Sequence, residues 1–212
     1  LISVQATSIH LTGQASAINA LTEGSGAGGI IRLQAQDITL DDGAQIKAET
    51  SGSGRGGHIQ IESETLNLLG GSAIEANTEG SGEGGSISIT ASQALRLESP
   101  AGMNVPSGIR ASTYDSGDGG YIKLISPLIV MDNGLVQAKT QGELSEGIAN
   151  GAAGNITIET RQISLENGAQ IDTSSRAGSN GTGGSVLIEA SDSISVTGRG
   201  TNFPTAIFAN TF

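Results

Sequence analysis

Gly80, Gly82 and Gly85, in the run GSGEGG, have the G-x-G-x-x-G spacing of a loop that cradles a dinucleotide pyrophosphate. Such a loop follows a strand and opens a helix, whose N-terminus faces the phosphates. Here the run leads into SISITAS, an alternation of polar and apolar residues that belongs to a strand. The related runs GSGAGG at 24–29 and GSGRGG at 52–57 lead into IIRLQA and HIQIES, which alternate in the same way. One turn used repeatedly is a simpler reading than several nucleotide sites, and the sequence calls for no cofactor. Gly80, Gly82 and Gly85 are expected to shape a corner, turning at positive φ where a Cβ would be strained.

Other residue types offer acid–base or metal chemistry. YDSGDGG brings Asp115 and Asp118 into one glycine loop, and NTEGSGEGG offers Glu79 and Glu83. Calcium takes about six to eight oxygen ligands. Asp115 and Asp118 are candidate calcium ligands; the competing reading is a solvated acidic loop, and the nonapeptide pattern of calcium-binding β-rolls is absent. Asp41-Asp42 recurs as Asp132-Asn133 and Glu166-Asn167, which marks turn chemistry. His10 and His58 fall at outward positions of different strands, so neither has an obvious proton-transfer partner. No Ser-His-Asp set suggests itself, no catalytic residue is assigned, and an enzyme is not expected.

Composition narrows the classes further. The 212 residues include 33 Gly, no Cys, no Trp, two Tyr and three Phe. The apolar residues are mainly Ile, Leu, Val and Ala, a strand-forming set. A formal charge of −11 argues against nucleic acid and anionic lipid as partners. Without Cys there are no disulfides, thiolate metal sites or Cys nucleophiles.

The elements that carry these loops repeat. The anchors Gly29, Gly57, Gly85, Gly120, Gly154 and Gly184 are spaced by 28, 28, 35, 34 and 30 residues. Each is followed by a strand with apolar residues two and four positions on, such as Ile59 and Ile61. A second strand carries pairs such as Leu66 and Leu68, and a third reads Ile-x-Ala-x-Thr, as in Ile46, Ala48 and Thr50. Val136 replaces Ile in one copy, and Ile171, Thr173 and Ser175 depart from the pattern in another. One extra residue precedes Leu95, and another Ile194; each is a bulge that keeps the apolar set facing inward.

The Asx-Gly pairs between second and third strands are hairpin signals, so an antiparallel meander is the alternative. Three strands per repeat would reverse direction in every copy and give equivalent residues different surroundings. A coil stacks like on like. The expected fold is therefore all-β: a right-handed parallel β-helix, or solenoid, of about seven coils of three short strands. Residues 1–212 are read as a single β-helical repeat segment, an interior fragment of a longer chain.

The runs GIIRLQAQDITLDDGAQIKAET and GNITIETRQISLENGAQIDTSS resemble the repeat region of filamentous-haemagglutinin-like exoproteins of two-partner secretion systems. The resemblance covers the whole chain at repeat level. It implies a large protein of a Gram-negative bacterium, secreted through an outer-membrane barrel transporter to the cell surface. It also implies a stalk that acts in adhesion, aggregation or biofilm formation. The absence of Cys suits threading through a barrel. The family's secretion domain carries Asn-Pro motifs, and this chain has no Asn-Pro pair. The alternatives are a carbohydrate-active β-helix enzyme, which would need clustered carboxylates and a cleft, and a self-stacking filament subunit.

Insertions interrupt the repeat at 98–108 and 198–206, at the same corner of two copies, and at 141–153. Such insertions form the binding face of many repeat proteins. Met103, Pro106, Phe203 and Pro204 are therefore the candidate interaction residues, with a surface glycan or a protein as ligand. Inert surface loops are the competing reading. The terminal repeats carry no evident polar cap, so the segment is expected either to stack end to end or to depend on neighbouring segments for solubility.

Overall fold

The computed structural model describes residues 1–141, 151–175, 181–198 and 203–210. All regular elements among them are strands. The chain first lays down β1 (Ile2–Gln5), β2 (Ser8–Thr12) and β3 (Ala17–Asn19), then β4 (Ile30–Gln34), β5 (Asp37–Asp41) and β6 (Gln45–Lys47). From there each repeat has one long and one short strand. These are β7 (His58–Leu69) with β8 (Ala73–Glu75), β9 (Ser86–Glu98) with β10 (Gly108–Arg110), and β11 (Tyr121–Asp132) with β12 (Leu135–Gln137). Two more pairs follow, β13 (Asn155–Glu166) with β14 (Gln170–Asp172) and β15 (Val186–Val196) with β16 (Ala206–Phe208).

Every strand pairing is parallel, between equivalent strands of successive repeats. One sheet runs β1-β4-β7-β9-β11-β13-β15, with β2 and β5 alongside; the other runs β16-β14-β12-β10-β8-β6-β3. This is a parallel, solenoid-type stack, and the meander is excluded. The Asx-Gly pairs turn between parallel sheets instead of closing hairpins. Asp42, Asn133 and Asn167 take positive φ there, and Gly70 and Gly71 do the same in a copy that lacks Asx.

The expectation of three separate strands holds for only the first two repeats. In later ones the first and second strands merge. At the junction two successive amides share one carbonyl: Glu64 N–H and Thr65 N–H both donate to the Gln36 oxygen, at 2.8 and 3.0 Å. The chain bends without leaving the ladder. The extra residues read from the sequence lie at this bend. The register shifts between Ser63 and Thr65 against β9, and between Thr160 and Gln162 against β15.

The core is a set of like-on-like ladders. Ile31, Ile59, Ile87, Ile122 and Ile156 align in one; Ile46, Ile74, Ile109, Val136 and Ile171 align in another. All are buried. Inward placement follows from the period-two alternation, since a strand sends successive side chains to opposite faces. At the outer rung Ile194 and Ile207 are 49% and 41% exposed.

The glycine loops form a third ladder, for a reason other than the one expected. Gly80, Gly82 and Gly85 do not take positive φ. They stack directly on the preceding loop. A Cβ on Gly82 would lie 2.0 Å from the Gly54 oxygen, and one on Gly85 2.3 Å from the Gly57 oxygen. Glycine is needed because two backbones pass too close for any side chain. Threonines fix each loop from beneath: Thr50, Thr78, Thr113, Thr140 and Ser175 bridge in sequence and are all buried. The Thr78 hydroxyl donates to the Glu83 carbonyl at 2.8 Å, and that oxygen also accepts Gly56 N–H at 2.9 Å. Thr50 on Arg55, with Gly28 N–H, repeats the arrangement.

Candidate functional site

The glycine loops cannot receive a pyrophosphate in the manner their spacing suggests. A strand, β9, follows Gly85, and the space beside the glycines is taken by the neighbouring loop. Arg55 and Glu83 pair across two such loops. Asp115 and Asp118 are both exposed. The Asp118 carboxylate accepts Ala152 N–H at 2.7 Å, and its carbonyl accepts the Thr113 hydroxyl at 2.7 Å. Asp118 thus ties its loop to the next. Among the described residues no three His, Asp or Glu side chains gather as a metal site would require. His10 bonds to Thr12, and His58 to Ser86.

Chemistry concentrates instead on the outer face of the short-strand sheet. Lys47, Glu75, Arg110, Gln137 and Asp172 occupy one register position in successive strands. Two positions further along each copy stand Glu49, Asn77, Ser112 and Lys139. Alternating charge lets each rung pair with the next. Lys47 Nζ lies 3.1 Å from Glu75 and 3.6 Å from Glu49. Arg110 Nη1 reaches the other Glu75 oxygen at 3.1 Å, and Lys139 pairs with the buried Asp172. Asn77 donates to Glu49 at 3.1 Å and accepts Ser112 N–H at 2.9 Å.

This partial burial shifts the ionisations. Burial raises the Glu49 carboxyl above its ordinary value, against the pull of Lys47. Burial opposes the Lys47 charge, but the carboxylates of Glu75 and Glu49 outweigh it and raise that pKa. The Tyr114 phenol is raised by burial and then by the negative charge of Glu75.

Two corner loops flank this face. In the loop before β10, Ser107 Oγ accepts Gly71 N–H at 3.0 Å and donates to the Glu98 carbonyl at 3.0 Å. Asn133 Nδ2 holds the Pro100 carbonyl at 3.0 Å. Pro106 is buried, and its carbonyl accepts Arg110 Nη2 at 3.0 Å. Met103 is half-buried against the Gly71 corner. The apolar group this loop presents to solvent is Val105, 63% exposed.

In the loop before β16, Phe203 and Pro204 are exposed. That loop is also held down: Gln170 Nε2 donates to the Pro204 carbonyl at 3.1 Å, and Gly168 N–H to the Thr205 hydroxyl at 2.8 Å. Residues 199–202 of this insertion, and 142–150 of the other, lie outside the described residues.

Between the two loops the corners before β12 and β14 are short. The result is a groove of about 240 Å³, with Val105 and Pro106 on one wall, Phe203 on the other, and Leu135 and Gln170 among the lining. Phe203 and Pro106 therefore belong to one site, although 97 residues separate them. Sequence reasoning singled out neither Val105 nor the charge ladder. The ladder was readable: aligning the third strands on their Ile places Lys47, Glu75 and Arg110 in one column.

No known protein family, no curated protein and no solved structure matches this chain.

Proposed function

We propose that the chain is a segment of an extracellular stalk that mediates surface attachment, aggregation or biofilm formation. In this reading it is a right-handed β-helix of about seven coils, of the filamentous-haemagglutinin-like type. It is secreted from a Gram-negative bacterium through an outer-membrane barrel. One observation supports it above the others. The ladders of Ile, Thr and Gly run along the stack, while charged groups on the outer face of the short-strand sheet pair with one another. Such a face is rigid and presents a fixed pattern to a partner. Beads carrying the full chain should adhere to a bacterial or host-cell surface and to each other, and beads carrying the core variant Ile74→Asp should not. Equal attachment by the two would remove the reading.

A second reading, a carbohydrate-active enzyme, rests on Glu49 and Glu75, which stand about one Lys47 with the Glu49 carboxyl raised by burial. Release of products from acidic polysaccharide, with and without Ca²⁺, and its loss in Glu49→Gln, would replace the stalk by an enzyme. A third reading, axial stacking of copies, draws on the exposed Ile194 and Ile207. Growth of the sedimentation coefficient with concentration tests it.

A further inference from the structure

We infer that the groove between the two corner loops is a binding site for an acidic oligosaccharide, one that carries uronate carboxylates. This deepens the attachment reading and rests on it. The experiment below reads binding in solution, so either can fail without the other.

The first argument is charge. The chain has 21 Asp and Glu against 10 Lys and Arg, yet among the described residues the groove is lined by Arg110 and Lys139 and by no carboxylate. Glu75 and Asp172 take one contact each from these cations. Arg110 spends Nη1 on Glu75 and Nη2 on the Pro106 carbonyl, and a guanidinium has further N–H donors. A lysine ammonium has three donors, and among the described residues Asp172 is the carboxylate paired with Lys139. Arg110 is only 8% exposed, so the cation open to a ligand carboxylate is Lys139, and Arg110 adds positive charge behind it.

The second argument is pre-organisation. Both walls are pinned before any ligand arrives, one by Arg110 on Pro106 and the other by Gln170 on Pro204. Hydrogen bonds that hold a wall before binding lower the ordering cost of the complex. The walls stand three strands apart, or roughly 14 Å at the spacing of neighbouring strands. One polymer chain can cross between them.

The floor of the groove favours sugar over peptide. Strands β12 and β14 form the floor, and each is paired on both sides. No free strand edge is offered, so a peptide cannot add by backbone pairing. What the groove offers is the amides of Gln137 and Gln170, the two cations, and the face of Phe203. Planar amides and an aromatic face suit the hydroxyls and the C–H face of a sugar ring.

The test titrates the full chain with an oligogalacturonate, a neutral maltooligosaccharide of equal length and hexaglutamate, by calorimetry. The variants are Val105→Glu, which puts a like charge on an exposed lip, and Phe203→Ala; Gln60→Glu on β7 is the control. Thermal melts check folding. The uronate should bind in preference to both other ligands, more weakly as salt is raised. Each groove variant should weaken it by about tenfold, the loss of one good contact, while Gln60→Glu changes nothing. Any one of four results overturns the inference: no uronate binding, equal binding of the neutral sugar, tighter binding of hexaglutamate, or affinity unchanged in both folded groove variants.

Discussion

Gly82→Ala isolates the force that shapes the glycine loops. The new Cβ would lie 2.0 Å from the Gly54 carbonyl oxygen and 2.8 Å from that of Ser53, whereas ordinary contact begins near 3.4 Å. Both obstacles are backbone, so no side chain can swing aside. The two loops must part by more than an ångström. That separation strains the hydrogen bond from Gly56 N–H to the Glu83 carbonyl, now 2.9 Å, which joins the same loops. Overpacking costs about 1–3 kcal/mol, and a lost neutral hydrogen bond about 1 kcal/mol. Removing glycine from the unfolded chain returns about 0.4–1 kcal/mol. The net expectation is a loss of about 1–3.5 kcal/mol.

Gly26 is the control, because it holds the same repeat position with only a Thr22 methyl, at 3.6 Å, near its would-be Cβ. Gly26→Ala should be neutral or stabilising by up to about 1 kcal/mol. Urea unfolding followed by circular dichroism, with the slope checked for constancy, measures both. If the two variants agree within about 0.5 kcal/mol, loop stacking does not impose the glycines and the argument from close approach is wrong.

Ile74→Asp, in a fully buried ladder between Ile46 and Ile109, should cost more than about 4 kcal/mol, whereas Gln60→Asp on the outward face should stay within about 0.5 kcal/mol; thermal melts of both decide. Thr78→Val should cost about 1 kcal/mol in urea unfolding, since the Glu83 carbonyl keeps its Gly56 donor, and Thr78→Ala should cost about twice that; a Thr78→Val variant as stable as the parent would mean the hydroxyl contributes nothing. Glu49 holds its proton more tightly folded than unfolded, so its favourable contribution is full below about 4.5 and fades as pH rises through the raised folded value. Glu49→Gln should accordingly have a higher Tm than the parent at pH 7 and lose that advantage at pH 4. Lys47 has the opposite charge and also a raised value, so its contribution persists to pH 10.5 and fades above it; Lys47→Met should flatten the alkaline limb of the Tm profile.

Periodicity alone specified the inward residues and the parallel stacking. Alternation with period two assigns a face to every strand residue, and like residues at a fixed repeat can share an environment only if the copies stack in one direction. The bulges before Leu95 and Ile194 were legible for the same reason: a slip of one residue would have turned Arg96 inward.

The merging of first and second strands was not legible. The bend is held by two amides sharing one carbonyl of another copy, but Gln36 N–H and Asp37 N–H share the Thr7 oxygen in the same way where β4 and β5 stay separate, so whether the strands run together is decided by pairing between copies. Nor was the true reason for the glycines. A sequence shows that a Cβ is missing, but whether φ or a neighbouring backbone forbids it is decided between coils. Insertion length marked Met103, Pro106, Phe203 and Pro204, yet which of them meets solvent was settled by packing. Arg110 draws Pro106 inward, Met103 settles on Gly71, and Val105 is left exposed. The groove itself exists because the two long corners stand three strands apart with two short ones between. Local sequence determines each corner; only stacking, which converts distance along the chain into distance along the axis, makes them walls of one site.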